Sequence, residues 1–168
     1  VRPEPVAQPL VGFRHWGVRR GGLYSGIFVA GRFVPNPALA MIAPRALPSP
    51  WPTDHDRHAK CFALGGHDAP QRGCTCGFSA YNLLPEDPDL PAPEAAWGAV
   101  VAWGRVVECE RGFRAEFARP LALLDRRSPL DRGEGGRRLA RAADEYRIPL
   151  LERDELVAYA AWHGELAA

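Results

Sequence analysis

The chain has 168 residues, 46% of them apolar and 24% charged, an ordinary globular composition able to bury roughly two-thirds of its unfolded surface. Its 17 glycines and 17 prolines predict many turns and exclude a helix bundle. A formal charge of +1 excludes a global field drawing it to nucleic acid or anionic membrane, and no apolar run approaches the ~20 residues needed to span a bilayer.

Lys60 is the only lysine; every other cation is an arginine. Arginine forks suit phosphate and carboxylate recognition. The abundance of Ala, Pro, Gly and Leu gives the blander explanation of a GC-rich coding bias, and the near-zero charge favours it.

Residues 1–11 read as a flexible lead-in, because Val1-Arg-Pro-Glu-Pro-Val has no apolar signal core. Its lack of Met fits either removal of that residue or excision of a fragment. With no export signal in view, a reducing cytoplasm is the expected compartment, where the four cysteines serve as thiols or ligands rather than disulfides. Residues 12–168 are expected to form a single globular domain. Gly12 to Val18 and Leu23 to Val29 are aromatic and β-branched runs around Arg19-Arg20-Gly21-Gly22, the pattern of a hairpin, and Gly31 to Val34 continues or reverses the second strand. Repeated prolines from Pro35 to Pro52 and from Pro85 to Pro93 predict irregular connections, the first packed on the body by Trp51.

Residues 53–82 read as a metal-binding loop. Cys61, His67, Cys74 and Cys76 fall within sixteen residues, separated by Gly65, Gly66, Pro70 and Gly73. Zinc takes four thiolate or imidazole ligands in a tetrahedron, and only a tightly bending backbone brings four such near neighbours together. Binding would also order a stretch poor in apolar residues, since the binding energy becomes folding energy. Cys74-Thr-Cys76 is one residue tighter than the usual paired zinc knuckle. A redox dithiol at Cys74 and Cys76, or four unrelated groups, are the alternatives; ligand softness makes zinc the expected ion. His55 or His58 could replace His67 as ligand, but a solvated loop is the favoured reading of that run, and Cys109 reads as a core thiol.

A central β-hairpin is expected over 97–118. Its first arm, from Trp97, is apolar on both faces, Gly104 permits a bulge, and Phe113, Ala115 and Phe117 alternate with Arg114 and Glu116. Pro120 is expected to end it. Residues 137–164 read as a helical C-terminal part. Leu139, Ala143 and Tyr146 recur at helical spacing, Ile148-Pro-Leu-Leu151 is an extended link, and Asp154 caps a last helix stopping at Gly164. The glycines from Gly133 to Gly136 read as a loop. Two helices docked on the sheet explain this region better than a DNA-reading pair, since the Pro149 link is a poor match to that turn.

The succession Gly12-Phe-Arg-His-Trp16, Trp51, Cys61, His67-Asp-Ala-Pro70, Cys74-Thr-Cys76-Gly77, Trp103-Gly-Arg-Val-Val-Glu108, Arg111-Gly-Phe-Arg-Ala-Glu116 and Tyr146-Arg-Ile-Pro-Leu150 resembles a family of actinobacterial and phage proteins with no assigned activity. The resemblance spans most of the chain. It implies that Cys61, His67, Cys74 and Cys76 belong to one motif and that Cys109 stands outside it.

No phosphate-cradling, nucleophile-elbow or paired-histidine zincin signature is present, and Ser79 has no nominated base. If Trp16, Trp97, Trp103, Phe113 and Phe117 face outward in part, they would make a stacking platform for single-stranded nucleic acid with Arg14, Arg105 and Arg114 tracking phosphates; core packing of the aromatics is the competing and favoured reading. The expected fold is α+β, an antiparallel sheet or partly open barrel with a zinc-tied loop and two C-terminal helices. The expected function is a non-enzymatic intracellular module binding a protein or nucleic acid, with no membrane association. A metal- or thiol-dependent enzyme is the alternative.

Overall fold

The computed structural model describes residues 8–29, 32–35, 50–61, 66–86, 95–125 and 133–166. Strand β1 (Leu10–Arg19) turns back antiparallel into β2 (Gly22–Tyr24). Arg20 and Gly21 make the turn at φ of 49° and 84°, as a two-residue hairpin matched to strand twist requires. The expected hairpin is thus present but short. Strands β3 (Gly26–Val29) and β4 (Arg32–Pro35) reverse on each other in a separate two-stranded sheet. Most of the lead-in and both proline-rich connectors lie outside the described residues.

Two short strands flank the cysteine and histidine loop, β5 (Arg57–His58) and β6 (Phe78–Tyr81). The long hairpin follows as β7 (Ala95–Cys109) and β8 (Gly112–Leu124). β1 pairs with β7, β7 with β8, β8 with β6, and β6 returns to β1 at Phe13 and Tyr81. These four strands make a partly closed ring. β8 does not stop at Pro120. The ladder shifts register between Ala99 and Val100, beside the Val100–Pro120 pair, and such an irregularity tolerates a residue without an N–H.

Helix α1 (Glu134–Tyr146) starts three residues before the expected boundary, so Glu134 to Gly136 form its first turn. Strand β9 (Leu150–Leu151) then runs parallel to the end of β8. Helix α2 (Arg153–His163) is capped by Glu152 rather than Asp154. Glu152 and Glu155 exchange side-chain and backbone hydrogen bonds in a capping box, putting two carboxylates at the positive end of the helix. Strand β10 (Glu165–Leu166) lies parallel to β1.

Residues 95–102 of β7 are buried on both faces because a helix covers each. On one face Trp16, Val18, Ala96, Val100, Ala102 and Phe113 cluster with Leu139, Ala142, Ala143 and Tyr146 of α1. On the other, Val11, Phe13, Trp97, Ala99 and Val101 cluster with Leu156 and Ala160 of α2. The split follows residue parity, the period-two rule for a strand. Both helices are docked on the sheet. No helix among the described residues is long and apolar enough to cross a membrane.

Candidate metal centre

The backbone between β5 and β6 folds by close turns. Lys60 bridges Asp68 in antiparallel fashion, which brings Cys61 beside His67. The Cys74 amide donates to the Gln71 carbonyl at 3.2 Å, closing the next turn. Gly77 sits at φ of 107°, where a Cβ would lie 2.9 Å from Pro70 Cβ and 3.1 Å from Arg114 Cβ, so only glycine lets Cys76 enter β6 there.

One ligand atom from each of Cys61, His67, Cys74 and Cys76 lies within 4.8 Å of all the others. Cys61 Sγ and Cys74 Sγ are 3.7 Å apart, and His67 Nε2 is 3.2 Å from Cys76 Sγ. A tetrahedral zinc with bonds of about 2.3 Å to sulfur places two sulfurs about 3.8 Å apart. A disulfide would need about 2.05 Å, so the cysteines are free thiols spaced like the edge of a coordination tetrahedron. The residues fit a divalent ion.

The thiols are electrostatically unequal. Hydrogen bonding from the Cys76 backbone and side chain brings the Cys74 thiol down to about 7. Burial, followed by the hydrogen bond with Cys74, pushes the Cys76 thiol up to about 11. A bound cation would hold all the sulfurs as thiolates.

The loop is clamped to the hairpin by two arginines. Gly104 at φ of 79° makes a bulge in β7 that turns Arg105 toward Glu116. Arg105 Nε and Nη2 donate to Glu116 Oε2 and Oε1 at 3.0 and 2.9 Å, and its backbone N donates to Oε2 at 3.1 Å. The same guanidinium reaches the loop, with Nη2 donating to the Ala69 carbonyl at 3.3 Å and Nη1 3.0 Å from Asp68 Oδ2. From β8, Arg114 Nη1 donates to the Cys76 carbonyl at 3.2 Å. Asp68 and Ala69 follow His67, and Cys76 is itself in the cluster, so both arginines hold the four candidate ligands in place.

This corrects the expected binding surface. Trp16 is 0% exposed in the α1-side core, edge-on to Trp51, because the even positions of β1 face α1. Arg105 and Arg114 direct their guanidinium groups to the loop. Trp97 and Phe113 are also buried, while Trp103 and Phe117 stack half-buried at 6.1 Å. His55 pairs with Asp54 in the exposed loop, whereas His58 stacks on Phe117 at 4.7 Å and faces Glu116. Cys109 is exposed rather than a core thiol, since it lies at the end of β7, where burial along the strand gives way to exposure before the turn. Sequence reasoning gave Glu116 no structural role. Its place opposite the Gly104 bulge, in register with Arg105, was the available signal.

Comparison with protein-family models, with curated proteins and with solved structures gave no match, so the chemistry of the site carries the functional argument.

Proposed function

We propose that Cys61, His67, Cys74 and Cys76 hold a structural zinc ion, and that the chain is a small zinc-stabilised module that binds a protein or a nucleic acid. The observation carrying the reading is the mutual approach of four soft or borderline donors, with a sulfur–sulfur separation of 3.7 Å. Three thiolates and an imidazole suit zinc over calcium or magnesium, which take oxygen ligands. Four protein ligands close the coordination sphere, the arrangement of a structural rather than a catalytic ion. Free thiols fit the reducing cytoplasm proposed for it. The sequence resemblance to actinobacterial and phage proteins remains part of the proposal and assigns no reaction.

Two exposed surfaces suit a partner. Arg19 and Arg20 at the first hairpin turn are exposed, and Arg141 of α1 lies against Gly21 of that turn, a local basic face. Trp162 on α2 is 81% exposed. A thiol- or metal-dependent enzyme is the second reading, favoured by the lowered Cys74 thiol, and would need a ligand position open to water.

Elemental analysis of protein purified without added metal is expected to give about one equivalent of zinc. Cys74→Ser should lose the metal and, if the zinc holds the fold, several kcal/mol of stability, lowering the Tm by more than about 10 °C. Metal-free protein with an unchanged cooperative melt would refute the zinc reading. Binding to arbitrary single- or double-stranded nucleic acid that weakens steeply with salt would assign the partner class, and no binding at low salt would leave protein.

A further inference from the structure

Arg14 is the one buried charged residue among the described residues, 8% exposed in the middle of β1. Its Nη2 reaches Ser25 Oγ only at 3.5 Å, while Nε and Nη1 are buried with no hydrogen-bond partner. Among the described residues the ionisable neighbours acting on it are Arg57, which repels it, and the phenol of Tyr81. Burial brings Arg14 down to about 10, still protonated at neutral pH. An unpaired buried cation is among the costliest features a fold can carry.

The surroundings supply donors and aromatic faces. The Arg14 guanidinium lies 4.9 Å from the Trp51 ring centre and 5.7 Å from that of Trp16, and Arg57 lies 5.8 Å from the same Trp51 ring. Ring faces offset part of a buried cation's cost but accept no N–H bond along its edges. Trp51 Nε1 donates to Ser25 Oγ at 2.7 Å, which directs the serine hydroxyl hydrogen elsewhere. Ser25 and Arg57 are half-buried, so these two members of the constellation are partly open to solvent. Arg14 Nε and Nη1 lack an acceptor in a place that a second guanidinium, Arg57, shares around the Trp51 ring, so the group that fits is an acceptor with negative charge.

We propose that Arg14, Ser25 and Arg57 form a binding site for an oxyanion, the phosphate or carboxylate group of a small ligand, beside the Trp51 ring. The site shares no residue with the cysteine and histidine cluster and does not depend on the zinc reading.

The test uses the full chain in chloride buffer, titrated with inorganic phosphate or succinate against sodium chloride of matched ionic strength. One or both oxyanions are expected to raise the Tm saturably by several degrees and to change tryptophan emission over the same range, with chloride inert. A response to phosphate alone, or to succinate alone, identifies the group. Arg14→Met should abolish both responses and melt no lower than the parent in chloride, because an uncompensated charge has been removed. Should that variant fail to fold, Arg57→Gln must weaken the oxyanion titration by about tenfold, the loss of one charge-assisted contact. Neither oxyanion acting beyond chloride, or a variant titrating like the parent, overturns the proposal.

Discussion

Glu116 joins the cysteine and histidine loop to the sheet through both its side chain and its backbone. Its carboxylate accepts three hydrogen bonds from Arg105 and faces His58 Nε2 at 3.4 Å, while its carbonyl accepts the Ala59 amide at 2.7 Å. Burial pushes the Glu116 carboxyl up, but the Arg105 bonds and charge more than offset this and hold it below its ordinary 4.5. A depressed folded value means stability that is complete above the unfolded value and lost as pH falls through the folded one. Glu116→Gln should therefore lower stability by roughly 1–2 kcal/mol at pH 7. The Tm gap between parent and variant should close as pH falls below 4.5; a gap that persists there would show that charge is not what Glu116 supplies. Residue types made the four candidate ligands legible, since Cys and His among glycines leave few other readings. The roles of Arg105, Arg114 and Trp16 were not legible. They depend on which way a bulged or doubly covered strand turns each side chain, and composition carries no such information.

At the scale of elements, one phenol ties α1 to the sheet. Tyr146 Oη accepts the Leu23 amide at 3.1 Å and donates to the Trp51 carbonyl at 2.6 Å, and the Trp51 amide returns to the Leu23 carbonyl at 2.8 Å. Tyr146→Phe keeps the packing but leaves a buried donor and acceptor short of a partner, which costs about 2–3 kcal/mol. The expected Tm loss is about 4–10 °C in a thermal melt, and a change under 1 °C would mean water replaces the phenol. Long elements were legible because their period persists: the β7–β8 hairpin, Gly104 at its bulge, and both helices. β6 was missed because four residues, Phe78 to Tyr81, carry too little pattern beside a cysteine loop. Pro120 misled because a proline ends a regular ladder but is accommodated at an irregular one.

Across the whole molecule, the loop and the ring are mechanically continuous. Cys76 is separated from β6 only by Gly77, and β6 bridges β8 and β1. Releasing the proposed ion should therefore unsettle the sheet as well as the loop. Calorimetry with a zinc chelator is expected to show one cooperative transition at a Tm lower by more than about 10 °C. Two separate transitions would mean that the loop melts independently. The architecture was readable as an α+β partly closed sheet from its strand runs followed by helical spacing. Ring closure was not, because it depends on non-local pairing that no local pattern encodes.

β6 meets β1 at a single residue pair, Phe13 with Tyr81, whereas β7 and β8 are zipped along most of their length. A cylinder so built has one weak stave, and thermal breathing should part it there first. Deuterium uptake at the β6 amides should outpace that at Val100, Val101 and Ala102 by more than about tenfold, as local opening precedes global unfolding.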